Sequence, residues 1–145
     1  MKIIFANLEH LELVAPLFDA YRVFYKQKTD IDTATAFIRE RMELDESTIL
    51  LAMDNEGRPM GFTQLYPMFS SVSAKRIFIL NDLFVDSSHR KKGVGEALLN
   101  AAKEFCKKKG FKGLALQTGN DNPAQYLYER LGWEKDPDLQ YFWTN

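Results

Sequence analysis

The chain has 145 residues, of which 46% are hydrophobic and 27% are charged, and its formal net charge is −1. These values are typical of one globular domain and exclude a disordered, collagen-like or uniformly basic nucleic-acid-binding chain. A lone cysteine, Cys106, excludes a disulfide-stapled secreted scaffold. No apolar run has the length of a membrane span or a signal peptide. We therefore expect a single cytoplasmic domain over residues 1–145 that binds neither nucleic acid nor membrane.

Hydrophobic periodicity divides the first half of the chain into five elements. In chain order they are a strand (2–6), a helix (8–24), a second helix (31–42) and two strands (48–53 and 60–66). A turn at Asp54-Asn55-Glu56-Gly57 joins the last two strands, which predicts a hairpin. The serine-rich segment 67–75 is expected to be a loop.

The second half alternates strands and helices. In chain order we predict a strand (77–85), a helix (93–109), a strand (114–118), a helix (123–131) and two terminal strands (133–135 and 139–144). The helix over 93–109 has the most regular apolar spacing, and it ends in three lysines and Gly110, which suit a helix C-terminus. A strand–helix–strand order implies a parallel pair, so the fold class is α/β.

The clearest chemical signal lies where the strand over 77–85 gives way to the following helix. The segment Arg90-Lys91-Lys92-Gly93-Val94-Gly95 leads into the helix, which begins at its glycines. Glycines let the backbone approach a ligand, and a helix N-terminus attracts anions. Cations at a helix N-terminus oppose the helix dipole, so three of them there favour an anionic ligand over a solvated charge run. The segment matches neither the P-loop string nor the three-glycine dinucleotide fingerprint.

The segment does fit the pattern R-x-x-G-x-G. Further along, Leu127-Tyr128-Glu129-Arg130-Leu131-Gly132-Trp133 fits L-Y-x-x-x-G-[FW]. Together with the surrounding strands and helices, these motifs resemble the GNAT family of N-acetyltransferases, most sharply over residues 79–133. The resemblance implies the GNAT fold, a mixed twisted central sheet of about six to seven strands flanked by about four helices.

The resemblance also implies that acetyl-CoA is the co-substrate, with its pyrophosphate at the R-x-x-G-x-G loop and its pantetheine arm along the preceding strand. The implied cofactor-binding residues are Leu83, Phe84, Val85, Arg90, Lys91, Lys92, Gly93, Val94, Gly95, Glu96, Asn122 and Tyr128. Asn122 would equally suit a helix N-cap, and relatives more often have the asparagine at the place of Asp121. Residues 85–112 carry eight Lys or Arg and three Asp or Glu, hence +5, and the remaining residues carry −6. This segregation suits an anionic cofactor and a cationic acceptor.

Two side chains are implied in catalysis. Tyr128 is the candidate general acid that protonates the departing CoA thiolate, with Tyr126 a nearby competitor on another side of the helix. Asp82 is the candidate base for the acceptor ammonium, and a structural carboxylate at a bulge is an equal alternative. Several relatives have a glutamate where this chain has Asn81, so a water relayed by Asp82 and Asn81 is a further route.

The acceptor site is less specified. Tyr21, Phe24 and Tyr25 with Asn81 are candidates to line it, although such an aromatic stripe is also typical of a core. Cys106 has no His partner in motif spacing, and His10 and His89 lack metal-ligand spacing, so we predict neither a cysteine nucleophile nor a metal. The aromatic terminus, Tyr141-Phe142-Trp143, predicts either a completed sheet or a homodimer contact.

The predicted function is direct transfer of an acetyl group from acetyl-CoA to a primary amine. The candidate acceptors are small amines, polyamines, aminoglycosides and protein or peptide amines. One alternative is a non-catalytic acyl-CoA-binding or sensor protein on the same fold, and another is a nucleotide-binding α/β module.

Overall fold

The fold is built from five strands and four helices in a computed structural model that describes all 145 residues. In chain order the elements are β1 (Lys2–Phe5), α1 (Leu11–Phe24), α2 (Ile31–Glu43), β2 (Thr48–Met53), β3 (Pro59–Ser70), β4 (Lys75–Val85), α3 (Val94–Lys109), β5 (Leu114–Ala115) and α4 (Ala124–Arg130). Single 3₁₀ turns precede α1 and follow β4. No helix has the length and apolar character needed to cross a membrane.

The strands form one mixed sheet in the order β1-β2-β3-β4-β5. The first three pairings are antiparallel, and β4 pairs with β5 in parallel across α3. Successive residues of a strand face opposite sides, so Ile49 and Leu51 join the core under α1 and α2, whereas Leu50 and Ala52 join the core under α3. The α/β class and the parallel pair are therefore confirmed.

The helices begin and end where local chemistry predicts. Asp30 caps α2, because its side chain accepts a hydrogen bond from the backbone N–H of Thr33 at 3.1 Å. Gly93 and Gly110 flank α3 in left-handed backbone conformations, with φ of +80° and +68°. At the second of these, the Gly110 N–H donates to the carbonyl oxygen of Lys107 at 2.9 Å.

The sheet opens along the second half of β4. β4 pairs with β5 only at Phe78↔Leu114 and Ile79↔Ala115, so residues 80–85 have no strand partner on that edge. On its other edge β4 pairs with β3 throughout, with one irregularity: Gln64 pairs with Asp82 and Leu65 with Leu80. Asn81 is thus the extra residue of a β-bulge, which changes the direction of the neighbouring side chains.

The strand count is five rather than the six to seven expected. The predicted terminal strands over 133–135 and 139–144 are absent: the backbone there pairs with no strand of the sheet, and Tyr141, Phe142 and Trp143 are exposed. The strand predicted over 114–118 ends at Ala115. The prediction of a loop over 67–75 was mostly wrong, because cross-strand pairing extends β3 to Ser70 and β4 begins at Lys75.

One glycine is required by close strand packing. A Cβ atom at Gly61 would lie 2.6 Å from the backbone oxygen of Phe84, which cannot move without disturbing β4. We expect Gly61→Ala to lower the free energy of unfolding by about 1–3 kcal/mol, measured by urea denaturation. Gly113→Ala is the matched control, because its Cβ would meet nothing within 4 Å. A Gly61→Ala variant as stable as Gly113→Ala would contradict this packing argument.

Candidate active site

The loop between β4 and α3 is shaped by its own polar contacts. Asp86 accepts from the backbone N–H of Ser88 at 3.1 Å, which forms the 3₁₀ turn after β4. Arg90 Nε then donates to the carbonyl oxygen of Val85 at 3.1 Å and ties the loop back to the strand. Lys91 and Gly93 have φ of +59° and +80°. Alternating left-handed residues turn successive peptide groups, which is how a chain builds an anion-binding concavity.

The backbone N–H groups of residues 90–96 donate to no group of the chain. The first N–H of this region with a partner is that of Ala97, which donates to the carbonyl oxygen of Gly93 at 3.0 Å. Gly95 is not required by packing, because a Cβ there would make only ordinary 3.8 Å contacts with Leu127 and Val85. Unpaired N–H groups at a helix N-terminus, beside exposed Arg90, Lys91 and Lys92, form a strongly anion-attracting surface.

The rest of the implied cofactor set is divided between this surface and the core. Val94 is buried in the core under α3. Glu96 forms an ion pair with Arg130 at 2.7 Å, which joins α3 to α4, and this contact lowers the pKa of Glu96. Leu83 and Val85 are half-buried on the β4 segment that lacks a partner strand, and Phe84 is buried on its other face. The Asn122 side chain accepts from the Ala124 N–H at 3.0 Å.

A buried polar network surrounds Asp82. Its Oδ2 accepts from Gln64 Nε2 at 2.6 Å and its Oδ1 from Asn81 Nδ2 at 2.8 Å. Gln64 is itself held by Ser47, whose hydroxyl donates to Gln64 Oε1 at 2.7 Å. Asp82 is 1% exposed and Gln64 is fully buried, so this network is sealed on the β3 side. The bulge at Asn81 brings the carboxylate to the edge of a cavity.

Burial sets the protonation of this cluster. Burial raises the pKa of Asp82 above its ordinary value, while hydrogen bonds from Asn81 and Gln64 oppose that rise. Burial, together with the Asp82 carboxylate, raises the pKa of Tyr66 to about 12. The same two causes raise the pKa of Tyr21, whose hydroxyl donates to the Asn81 carbonyl at 3.3 Å. Both phenols therefore stay protonated donors at neutral pH.

A cavity of about 390 Å³ lies between α1, α2 and the β4 bulge. Its lining comprises Phe18, Tyr21, Arg22, Tyr25, Gln27, Thr33, Phe37, Tyr66, Asn81 and Asp82. Three of the four residues predicted to contact an acceptor, Tyr21, Tyr25 and Asn81, are in that set. Phe24 is not, because it lies on another side of α1 with its ring 5.8 Å from the Arg90 guanidinium carbon.

Tyr128 lies on α4. Its ring is half-buried and 6.1 Å from the ring of Trp133, and both contact the core under α3. Burial and the nearby Tyr25 phenol raise the pKa of Tyr128. Tyr25 also lines the cavity that contains Asp82, so Tyr128 lies near that cavity. Tyr126, the competing phenol, is 71% exposed and faces solvent.

Sequence reasoning missed several of these residues. Gln64 and Tyr66 lie on β3, which was assigned only as the second strand of a hairpin. A glutamine within the otherwise apolar stretch 60–66 was the available signal for Gln64. Arg22, in the last turn of α1, was not singled out by the sequence analysis. No group of three or more His, Cys, Asp or Glu side chains is placed to hold a metal ion, and Cys106 is buried with a raised pKa.

Comparison with known proteins defines the family. A model of the acetyltransferase (GNAT) family matches residues 13–133. The uncharacterized N-acetyltransferase YhfO of Bacillus subtilis (strain 168) is 51% identical over 91% of this chain and 89% of its own. A crystal structure of a probable acetyltransferase superposes with a TM-score of 0.93 at 39% identity, covering 100% of this chain and 97% of that one.

A more distant structure shows the same fold with its ligand named. The aminoglycoside N-acetyltransferase AAC(6')-Iy in complex with CoA superposes with a TM-score of 0.84 at 23% identity, covering 99% of this chain and 93% of that one. This chain therefore belongs to the GNAT family of acetyltransferases. It is an acetyl-CoA-dependent acetyltransferase with the mixed α/β fold of that family.

The raised pKa of Asp82 makes stability depend on pH with a definite sign. The folded chain holds this proton more tightly than the unfolded chain does, so Asp82 contributes less stability as pH rises above its ordinary pKa of 3.8. The Asp82→Asn variant has no titrating group at this position, so it does not lose this stability as pH rises. We expect the free energy of unfolding of the variant, relative to wild type, to increase between about pH 4 and about pH 7 in urea titrations.

Asp86→Asn is the control of opposite sign. Hydrogen bonds from Ser88 and His89 lower the pKa of Asp86, so its contribution to stability is present at higher pH and lost as pH falls. This variant should therefore lose stability relative to wild type as pH rises toward the ordinary pKa of 3.8, and its stability relative to wild type should then change little up to about pH 7. Equal pH dependence of Asp82→Asn and wild type would show that Asp82 is not held in its proton-binding environment.

Proposed function

We propose that this enzyme transfers the acetyl group of acetyl-CoA directly to the primary amine of a small acceptor bound beside Asp82. The observation that carries the proposal is a track of backbone groups in two parts, separated by the turn after β4. The first part is the edge of β4 over residues 80–85, which has no partner strand and on which the Val85 carbonyl accepts only from Arg90 Nε. The second part is the set of unpaired N–H groups of residues 90–96. This track ends at the cavity, which is the arrangement that a two-substrate transferase needs.

The track fits the chemistry of CoA at each point. Two pantetheine amides can pair with the free edge at Leu83 and Val85 as an added strand would. The pyrophosphate fits the N–H groups of residues 90–96, with Arg90, Lys91 and Lys92 supplying positive charge. Asn122 Oδ1 already accepts from Ala124, so the amide group of Asn122 would hold the arm through its Nδ2.

Acetyl-CoA supplies the thioester, and the chain supplies positioning and proton transfer. The amine nitrogen forms a bond to the acetyl carbon as the carbon–sulfur bond breaks. Asp82, directly or through a water held by Asn81, accepts the proton that the amine loses, and its raised pKa improves it as a base. A backbone N–H near Val85 polarises the thioester carbonyl.

We assign the general acid to Tyr128. Its raised pKa keeps the phenol protonated at neutral pH, and its half-buried hydroxyl can donate to the departing thiolate. Tyr126 is the weaker candidate because it is exposed on a different side of α4. The lone cysteine, Cys106, is buried within the core under α3, so a covalent acyl-enzyme is not part of the mechanism.

The chain as a whole is proposed to act as one domain over residues 1–145 and as a homodimer. Tyr141, Phe142 and Trp143 are each more than 80% exposed, and their burial against a second copy would remove a large apolar surface from water. The cytoplasmic location and the absence of nucleic-acid and membrane partners stay predictions of the sequence.

The assignment of Tyr128 is tested by Tyr128→Phe. We expect kcat for acetyl transfer, followed as CoA release with a thiol reagent, to fall by about 100-fold because the thiolate loses its proton donor. The affinity for acetyl-CoA, measured by calorimetry, should stay unchanged. Tyr126→Phe is the matched control and should retain wild-type kcat.

Each result has a distinct meaning. An unchanged kcat in Tyr128→Phe would remove the acid role from this tyrosine. Binding of acetyl-CoA without turnover of any amine would favour the alternative of a non-catalytic acyl-CoA sensor. Stabilisation against heat by ATP or NAD in place of CoA would favour the nucleotide-binding alternative.

A further inference from the structure

The cavity that holds Asp82 also contains an arginine with no partner. Arg22 lies in the last turn of α1 and lines the cavity together with Tyr21 and Tyr25. Its Nη1 atom is buried without a hydrogen-bond partner. No carboxylate lies within ion-pair distance of the Arg22 guanidinium. Arg22 is half-buried as a residue, but a buried N–H donor of a charged group is costly to the folded state when it has no partner, so the position of Nη1 favours an anionic group in the cavity.

Nearby carboxylates are already committed elsewhere. Asp19, one helical turn before Arg22, accepts from the Thr29 hydroxyl at 2.5 Å and from the Asp30 N–H at 2.8 Å. The Asp30 carboxylate accepts from the Thr33 N–H and hydroxyl at the start of α2. Asp82 is held by Gln64 and Asn81. Arg22 is near enough to Asp30 to help lower the pKa of that carboxyl, but none of these carboxylates contacts the guanidinium directly.

We propose that the acceptor is an amino acid: a small primary amine that also carries a carboxylate, which Arg22 binds. This inference rests on the proposed function and narrows its acceptor class. The guanidinium offers a planar pair of donors that matches a carboxylate, and the amino group would then point toward Asp82 and the thioester. The cavity thus has a cationic and an anionic anchor for the two charged groups of one small molecule.

The other lining residues agree with this class. Aromatic rings dominate the walls, contributed by Phe18, Tyr21, Tyr25, Phe37 and Tyr66. Such walls favour an apolar or aromatic amino-acid side chain, and a cavity of about 390 Å³ is of small-molecule size. Polyamines and aminoglycosides carry several positive charges and no carboxylate, so Arg22 would repel them.

The test compares amines that differ only by the carboxylate. Purified enzyme with acetyl-CoA is assayed for CoA release with phenylalanine against phenethylamine, leucine against isoamylamine, and lysine against cadaverine, with spermidine as a polycation. We expect kcat/KM for the preferred amino acid to exceed that of its decarboxylated partner by about 10- to 100-fold, the range of a charge-assisted contact.

Arg22→Gln should abolish that preference by raising KM for the amino acid while leaving kcat/KM for the decarboxylated amine near wild type. Arg22→Lys keeps the charge and should restore part of the preference. Arg39→Gln is the matched control, because Arg39 is an exposed arginine outside the cavity and makes no ion pair. It should behave as wild type.

The failures are distinguishable. Equal or faster turnover of decarboxylated amines or spermidine would overturn the amino-acid class and leave the acetyltransferase mechanism standing. Should no amine turn over, thermal stabilisation of the CoA complex by these amino acids is measured in wild type and Arg22→Gln. Absence of any stabilisation that depends on Arg22 would overturn the inference. Loss of acetyl-CoA binding itself would instead overturn the proposed function.

Discussion

Backbone N–H and C=O groups at a sheet edge need hydrogen-bond partners other than a neighbouring strand. Along one edge of the second half of β4, this protein has no strand that supplies such partners. β5 accompanies β4 for only two residue pairs and then diverges. The loop that follows turns through Lys91 and Gly93 in left-handed conformations and presents the N–H groups of residues 90–96 outward. Much of the remaining structure serves to hold this unpaired track rigid.

Rigidity comes from both sides of β4. β3 pairs with β4 along its whole length, and the approach is so close at Gly61 that no side chain fits there. α3 packs its apolar face under the sheet, and the Glu96–Arg130 ion pair connects α3 to α4, which positions Tyr128. A preformed binding track costs less ordering on ligand binding than a flexible loop would.

The proposed acceptor site depends on the bulge in β4. By inserting Asn81, the strand directs the Asp82 carboxylate to a cavity roofed by α1 and α2, with Gln64 behind it. The cavity therefore combines a carboxylate of raised pKa, two phenols that stay protonated and an unpaired guanidinium. In the proposed mechanism, Asp82 receives the proton of the acceptor and Arg22 binds its anionic group.

Structural features encoded within one stretch of sequence were predictable, whereas features that depend on contacts between distant stretches were not. The loop at Arg90 and the helix α3 were predicted closely, because the glycines, cations and apolar spacing that define them lie within one stretch of sequence. The terminal segment 139–144 has strand-forming residues yet pairs with no strand, because β-propensity depends on packing against neighbouring strands and does not by itself fix a strand. Arg22 and Gln64 were missed because only the packing of α1 and the pairing of β3 bring them to Asp82.

The most direct measurement of the central claim follows the backbone N–H groups of the loop by NMR in labelled protein. CoA is added in one titration and pantetheine, which lacks the pyrophosphate, in another. The account predicts that CoA produces its largest amide shift changes in residues 90–96, whereas pantetheine perturbs only the β4 edge around Leu83 and Val85. Binding of CoA that leaves residues 90–96 unperturbed, or shifts there that pantetheine reproduces, would contradict it.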